Sequence, residues 1–160
     1  MKKVIYRPIG VIRSPFKEIK GMPIQPTGAL GIAGTVEIES SYEDGLKDIE
    51  GFSHLILIYH LHLSKGYSLK VKPFLDNRLH GVFSTRAPNR PNPIGISVVR
   101  LLKVEVCILH IADVDIVDGT PLLDLKPYVP EFDTRPATRT GWLSKLANEA
   151  YHMRADERFK

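Results

Sequence analysis

Residues 81–101 read GVFSTRAPNRPNPIGISVVRL, and the fold turns on them. Pro88, Pro91 and Pro93 fall within six residues. Each fixes φ and removes a backbone donor, so neither a helix nor a central strand crosses the segment. Arg90 and Asn92, each preceding a proline, are pushed towards extended geometry. Arg86, Asn89, Arg90 and Asn92 stand among the prolines, giving a stiff loop with two guanidinium forks and two amides. Apolar, β-prone residues flank it, from Gly81 to Phe83 and from Ile94 to Leu102. The pattern is strand, rigid polar loop, strand, and such a loop loses little freedom when it binds a ligand.

Downstream, a long strand is predicted from about Gly95 to Val106, hairpin-paired with ILHIADVDIV at 108–117. Asp118-Gly119 is a turn signal. PLLDLKPY, 121–128, is short and extended, and Pro127 and Pro130 close it. Upstream, SHLILIYHLHL at 53–63 is the most apolar run and is predicted to be a central strand. Residues of equal parity share a face of a strand. His54, Ile56, Ile58, His60 and His62 would line one side, and Leu55, Leu57, Tyr59, Leu61 and Leu63 the other. GTVEIE, 34–39, alternates like a half-buried strand. VIYRPIGVIRS, 4–14, is β-prone with Pro8 inside it, as in an edge or bulged strand. Residues 15–33 form a long loop with Pro15, Pro23 and Pro26, a length that points to function in a compact domain. A short helix is predicted over 41–46, with Ser40 or Ser41 as its cap. Trp142, Leu143, Leu146, Ala147, Ala150, Tyr151 and Met153 follow helical spacing. The sum is a mainly β protein: a small antiparallel β-barrel with a short C-terminal helix. The barrel domain spans 1–134, and a helical tail over 135–160 packs on it.

A chain of 160 residues is enough for one domain with a proper core. Apolar residues make up 43% and charged residues 25%, which argues against disorder. The single cysteine, Cys107, excludes a disulfide framework and a multi-cysteine zinc site, and its setting VEVCILHI reads as core packing. MKKVIYRPIG does not read as a signal peptide, and no apolar run approaches the roughly 20 residues of a membrane span. A soluble cytoplasmic protein is expected. The net charge of +4 is uneven: residues 65–103 carry eight basic side chains and one acid, and residues 104–134 carry seven acids and one base. The basic block holds the proline loop, which suits a phosphate-bearing partner, although its lysines also suit a solvated surface.

Several chemistries are missing. Gly28, Gly31 and Gly34 do not make the G-x-G-x-x-G of a dinucleotide fold, and there is no phosphate-binding P-loop or G-x-S-x-G elbow. His60 and His62 could ligate a metal with His54, Asp113 or Asp115, but strand histidines are more often packed and hydrogen-bonded, so no metal is expected. His62 could instead donate to a ligand at the strand's end. Three stretches look like a site: Pro23-Ile24-Gln25-Pro26, the segment 85–95, and DGTPLLDLKPY at 118–128. The last presents Asp118, Asp124, Lys126 and Tyr128, either for acid/base work or as a turn and a surface ion pair.

TRAPNRPNPIGIS, with DGTPLLDLKPY about 30 residues later and IGVIRSPF near the start, resembles the TsaA/YaeB family, now called TrmO. The resemblance covers roughly residues 4–130. It implies a small β-barrel that binds S-adenosyl-L-methionine outside any Rossmann framework and forms a homodimer with the ligand near the subunit interface. It implies methylation of the exocyclic amino nitrogen of a threonylcarbamoyl-modified adenosine at position 37, in the anticodon loop of tRNA. Carried over by motif, the cofactor residues are Pro23, Ile24 and Gln25, then His62 and Leu63, Arg86 and Ile96, and Leu122, Leu123, Asp124 and Leu125. Backbone groups of 122–125 would read the adenine edge, and Arg86 would hold the carboxylate. Transfer is an in-line displacement, so alignment matters most. Asp124 and Tyr128 are the candidate catalytic residues, as base or orienting groups. Arg90, Asn92 and Lys126 are the candidate substrate-binding residues, facing the modified base or the RNA backbone.

Longer members of the family append a small C-terminal domain. Here a second copy, or Arg139, Lys145, Arg154 and Arg158 of the tail, would help hold tRNA. The alternative is a non-catalytic module that binds S-adenosyl-L-methionine or RNA; a third reading is a histidine-dependent metallohydrolase.

Overall fold

The computed structural model describes residues 2–159, so Met1 and Lys160, the outer ends of the predicted barrel and tail ranges, lie outside the described residues. The strands are β1 (Gly10–Arg13), β2 (Ala33–Ile38), β3 (His54–His60), β4 (Lys70–Val71), β5 (His80–Gly81), β6 (Ile94–Glu105), β7 (Ile108–Ala112) and β8 (Thr120–Pro127). Six of them close a barrel in the order β1-β2-β7-β6-β3-β8, and β8 pairs back to β1. Every barrel pairing is antiparallel. The remaining two strands, β4 and β5, form a small hairpin of their own. The mainly β, antiparallel barrel predicted from the β-prone runs and turn signals is the fold observed.

Alternation decides which side chains fill the barrel. Leu55, Leu57 and Tyr59 of β3 face inward with Val99 of β6, Leu109 and Ile111 of β7, Leu122 of β8, Val36 of β2 and Ile12 of β1. Burying one such aliphatic side chain contributes about 1.5–3 kcal/mol, so this ring of residues is the main source of stability. His54, Ile56, Ile58 and His60 take the outer face, as the parity of β3 requires. Val114 and Ile116, which follow β7, pack into the same core.

Three predicted strand ends differ from those observed, each for a local reason. β1 begins at Gly10, and Val4, Ile5 and Tyr6 are exposed before it. β7 stops at Ala112 because Asp113 takes a left-handed φ of 69°. The Asp113 carboxylate accepts from Gly31 N at 2.7 Å and from Arg100 Nε at 2.7 Å, which holds the 14–32 loop against the barrel. β3 stops at His60: Leu61 N still donates to Pro93 O at 2.7 Å in the same register, but proline has no N–H to return, and the chain turns at His62 and Leu63. Face parity therefore ends before His62. Cys107 is half-buried in the tight connection between β6 and β7 rather than inside a strand, next to Val106 with φ 54°. It still packs against the core.

The helical spacing near the C-terminus resolves into two short 3-10 turns, Gly141–Leu143 and Ala147–Tyr151. A single α-helical turn, α1 (Pro130–Asp133), precedes them. A helix this short gains little on its own, and side-chain contacts decide its path. Trp142 Nε1 donates to Ser84 O at 2.8 Å, and its ring stacks on His80 at 4.4 Å. Further on, Ala155 N donates to Met22 O and Gly21 N to Ala155 O, so the chain pairs with the 14–32 loop. Phe159 is buried against Val71, Val82, Ala87 and Phe74.

Gly95 links the motif to the core. It lies opposite Tyr59, and a Cβ at this position would fall inside the Tyr59 ring. Overpacking of this kind costs about 1–3 kcal/mol. Gly95→Ala is therefore expected to lose about 2 kcal/mol in urea unfolding, and unchanged stability would show that the ring has room to shift.

Candidate functional site

A cleft of about 180 Å³ opens at the end of the barrel where β3, β6 and the segment after β7 run out. The 14–32 loop contributes Met22, Pro23, Ile24 and Gln25 to its wall. Leu61, His62, Leu63 and Ser64 follow from the end of β3, and Arg86, Pro88 and Arg90 from the proline loop. Ile94, Gly95 and Ile96 begin β6, Asp115, Ile116 and Val117 come from the strandless connection into β8, and Thr120 begins β8. Ala155 and Phe159 of the tail complete the wall.

The proline loop is held from within as well as by its rings. Arg90 Nη1 donates to Thr85 O and Ala87 O, both at 3.3 Å. Ser64 Oγ lies 3.0 Å from both Pro88 O and Asn89 Oδ1. Arg86 reaches across instead and donates to Gln25 Oε1 at 2.8 Å. Two loops 61 residues apart in sequence thus meet through one charge-assisted bond.

A hydrogen-bonded chain runs from the cleft into the barrel. Ser97 Oγ donates to Asp115 Oδ1 at 2.7 Å, and Tyr59 Oη lies 2.9 Å from Ser97 Oγ. With the serine proton committed to the carboxylate, the phenol donates to the serine. Burial pushes the Asp115 carboxyl up to about 6, against the opposing pull of the Ser97 bond and of Arg86. Burial, with Asp115 second, raises the Tyr59 phenol far above its usual range, so it stays protonated. His62 lies 3.3 Å from Thr120 Oγ1, and burial followed by the nearness of His60 lowers its pKa. It is a neutral imidazole at pH 7.

Seven of the residues carried over for the cofactor, Pro23, Ile24, Gln25, His62, Leu63, Arg86 and Ile96, stand on this one cleft, and so does Arg90. Leu122, Leu123, Asp124 and Leu125 do not; they belong to β8. Leu122 is fully buried in the barrel, and Leu125 packs against the core. Leu123 is the extra residue of a bulge opposite Ile58 and Tyr59, where backbone leaves the ladder. Asp124 pairs with Lys126 at 2.7 Å, and Tyr128 Oη lies 3.3 Å from Thr134 Oγ1. Neither Asp124 nor Tyr128 lines the cleft, and Asn92 and Lys126 are exposed outside it. His60 points outward while His62 enters the cleft, so the H-x-H pair shares no face. Among the described residues no three His, Cys, Asp or Glu side chains gather as metal ligands, and no helix is long and apolar enough to cross a membrane.

In the sequence Asp115 stands out only as a possible metal ligand. The strand assigned to 108–117 hid it, because a regular β7 would have placed it in the ladder. A second, larger cavity of about 840 Å³ adjoins the cleft and shares Ile24, Gln25, Phe74, Arg86, Ile96 and Phe159 with it. Trp142, Phe83 and His54 line its far side.

The model of the tRNA-methyltransferase O N-terminal domain matches residues 11–134. The chain is 59% identical over 156 residues to a probable S-adenosyl-L-methionine-binding protein of Pyrococcus abyssi, covering 98% of this chain and 85% of that one. It is 39% identical over 147 residues to the tRNA (adenine(37)-N6)-methyltransferase of Escherichia coli, covering 85% of this chain and 62% of the other. The crystal structure of TrmO from Pseudomonas aeruginosa superposes with a TM-score of 0.74 at 38% identity, over 88% of this chain and 63% of that one. The chain thus spans less than two thirds of these two bacterial proteins.

The raised Asp115 carboxyl carries a stability signature. Its folded pKa lies above its unfolded value, so between about pH 4 and pH 6 the native state binds more protons than the unfolded state. Stability contributed by this group is present below that window and is lost as pH rises through it. Asp115→Asn keeps an acceptor for Ser97 and removes the titration. Relative to the parent, the variant is expected to gain about 2–3 kcal/mol between about pH 4 and pH 7. Urea unfolding at the two pH values checks this; parallel curves would refute it.

Proposed function

The chain belongs to the tRNA-methyltransferase O family, and from this we propose that it is an S-adenosyl-L-methionine-dependent methyltransferase acting on tRNA. Its acceptor is the exocyclic amino nitrogen of threonylcarbamoyladenosine at position 37. The observation that carries this reading is the convergence of Pro23, Ile24, Gln25, His62, Leu63, Arg86 and Ile96, from four separate segments, on one cleft. The donor set suits the cofactor's chemistry: a guanidinium for a carboxylate, a carboxylate for a cation, and Ile, Leu and Pro side chains for a purine face. When bound there, the cofactor supplies a methyl carbon made electrophilic by its sulfonium.

Each residue has a definable part. Arg86 offers a bidentate fork to the carboxylate, and its bond to Gln25 presets the fork's direction. His62, held neutral and next to Thr120, donates or accepts without adding a positive charge beside a cationic ligand. Arg90 is tied to loop carbonyls while it lines the cleft, so its first work is to keep the proline loop in one shape. Asp124 and Tyr128 stand apart from the cleft of their own chain, which leaves them without contact to the reacting atoms there. The aromatic second cavity beside Arg86 offers room for the acceptor base, since an unpaired base is held by stacking.

The segment 122–125 enters through a homodimer. Its bulge at Leu123 frees backbone on β8, and a second copy would bring that backbone to the neighbouring cleft. Sedimentation at micromolar concentration is expected to give a dimer; a monomer would remove this part of the reading.

Labelled methyl transfer from S-adenosyl-L-methionine to threonylcarbamoylated tRNA tests the proposal. Mass spectrometry of the digested nucleosides is expected to show the methylated base, whereas cofactor binding without turnover would favour the non-catalytic module. Arg86→Ala is expected to weaken cofactor binding by about 10- to 100-fold in calorimetry. The melting temperature should barely change, because Arg86 is exposed and the prolines hold the loop. Unchanged affinity would remove Arg86 from the site.

A further inference from the structure

Asp115 is the one carboxylate among the residues that line the cleft. Its setting is costly: it is more than half buried, next to Ile116 and across from Tyr59, and burial disfavours its charge. None of the ion pairs among the described residues includes it. Neither arginine of the cleft bonds to it: Arg86 donates from Nη1 to Gln25 and Arg90 to backbone carbonyls. Ser97 gives Asp115 one hydrogen bond, and Tyr59 fixes the serine. A carboxylate can accept about four such bonds. This acid is therefore aimed by two buried residues into the cleft; among the described residues no cation forms an ion pair with it, and Arg86 acts on it only through space.

We propose that Asp115 is the counter-ion for a cationic group of the bound cofactor, facing Arg86, which takes the carboxylate. The inference rests on the reading of the cleft as an S-adenosyl-L-methionine site. That ligand carries one carboxylate and two cationic groups, the sulfonium and the α-ammonium. A guanidinium and an isolated buried carboxylate on one cleft match that charge pattern. Ionisation of Asp115, unfavourable in the free protein, becomes favourable beside the ligand's positive charge. An anionic or neutral nucleoside gains nothing from it, so the residue also selects among adenosine-bearing ligands.

Calorimetric titration of the full chain and of Asp115→Asn tests this with three ligands. 5′-Methylthioadenosine carries neither cation, S-adenosylhomocysteine carries the ammonium alone, and S-adenosyl-L-methionine carries both. The variant is expected to lose about 10- to 100-fold in affinity for S-adenosyl-L-methionine and to hold methylthioadenosine within about twofold of the parent. If S-adenosylhomocysteine weakens alongside, the ammonium is the partner. If it does not, the sulfonium is, and either result supports the assignment. Equal losses for all three ligands would mean that Asp115 only shapes the cleft, and would overturn it. So would S-adenosyl-L-methionine affinity within about twofold of the parent. Failure of the parent itself to bind any of the three would overturn the cofactor reading instead of the role of Asp115.

Discussion

Three ladder pairs between β1 and β8, Gly10 with Leu122, Val11 with Pro121 and Ile12 with Thr120, turn an open sheet into a barrel. Closure leaves none of the six strands with an unpaired edge, so backbone groups along the barrel wall are satisfied internally. What remains available for chemistry is the barrel's ends. At one end β3 stops at His60 opposite Ile94, where β6 begins, and the strandless segment after Ala112 brings Asp115, Ile116 and Val117 to the same end. The cleft is the space their loops enclose. The shortest barrel strand, β1, therefore governs more than its four residues suggest: it makes the wall continuous and so confines function to the rim.

The barrel was legible because 34–39 alternates with period two and 53–60 and 95–105 are apolar, β-prone runs set off by turn and proline signals; inward parity matches the buried set in β3 and, up to the bulge after Leu101, in β6. The proline loop was legible because proline chemistry is local. Family motifs brought seven cleft residues together by number. What stayed hidden depends on non-local contacts. Nothing near His62 announces that the ladder of β3 ends against Pro93 and that the chain turns at His62 and Leu63. Nothing near Asp113 announces that Arg100 and Gly31 will hold it in a left-handed conformation and release Asp115 from the ladder. The helical stripe of the tail was real as a pattern of apolar residues, but those residues meet Ser84, His80 and the 14–32 loop in separate short turns.

The cleft is also an assembly of distant segments under mutual restraint. Gln25 and Arg86 meet across 61 residues, Tyr59 and Ser97 across 38, and Ser97 and Asp115 across 18. Each bond joins elements anchored in the barrel or fastened to it, so the polar groups of the site inherit the rigidity of the core. The tail adds a third kind of restraint. Phe159 sits edge-on to Phe74 at 5.0 Å, and Arg158 lies over the same ring. A wall of the cleft thus depends on aromatic packing against the β4–β5 hairpin rather than on the barrel itself.

The chain has a single tryptophan, and its position is informative in an optical sense. Trp142 stacks on His80, donates to Ser84 and lines the cavity next to the cleft. Ser84 is two residues from Arg86, one of the side chains shared by both cavities. Its emission therefore comes from one known place, at the seam between tail and loop, and reads the packing of that seam without any added dye. The molecule carries its own gauge of whether the tail is seated.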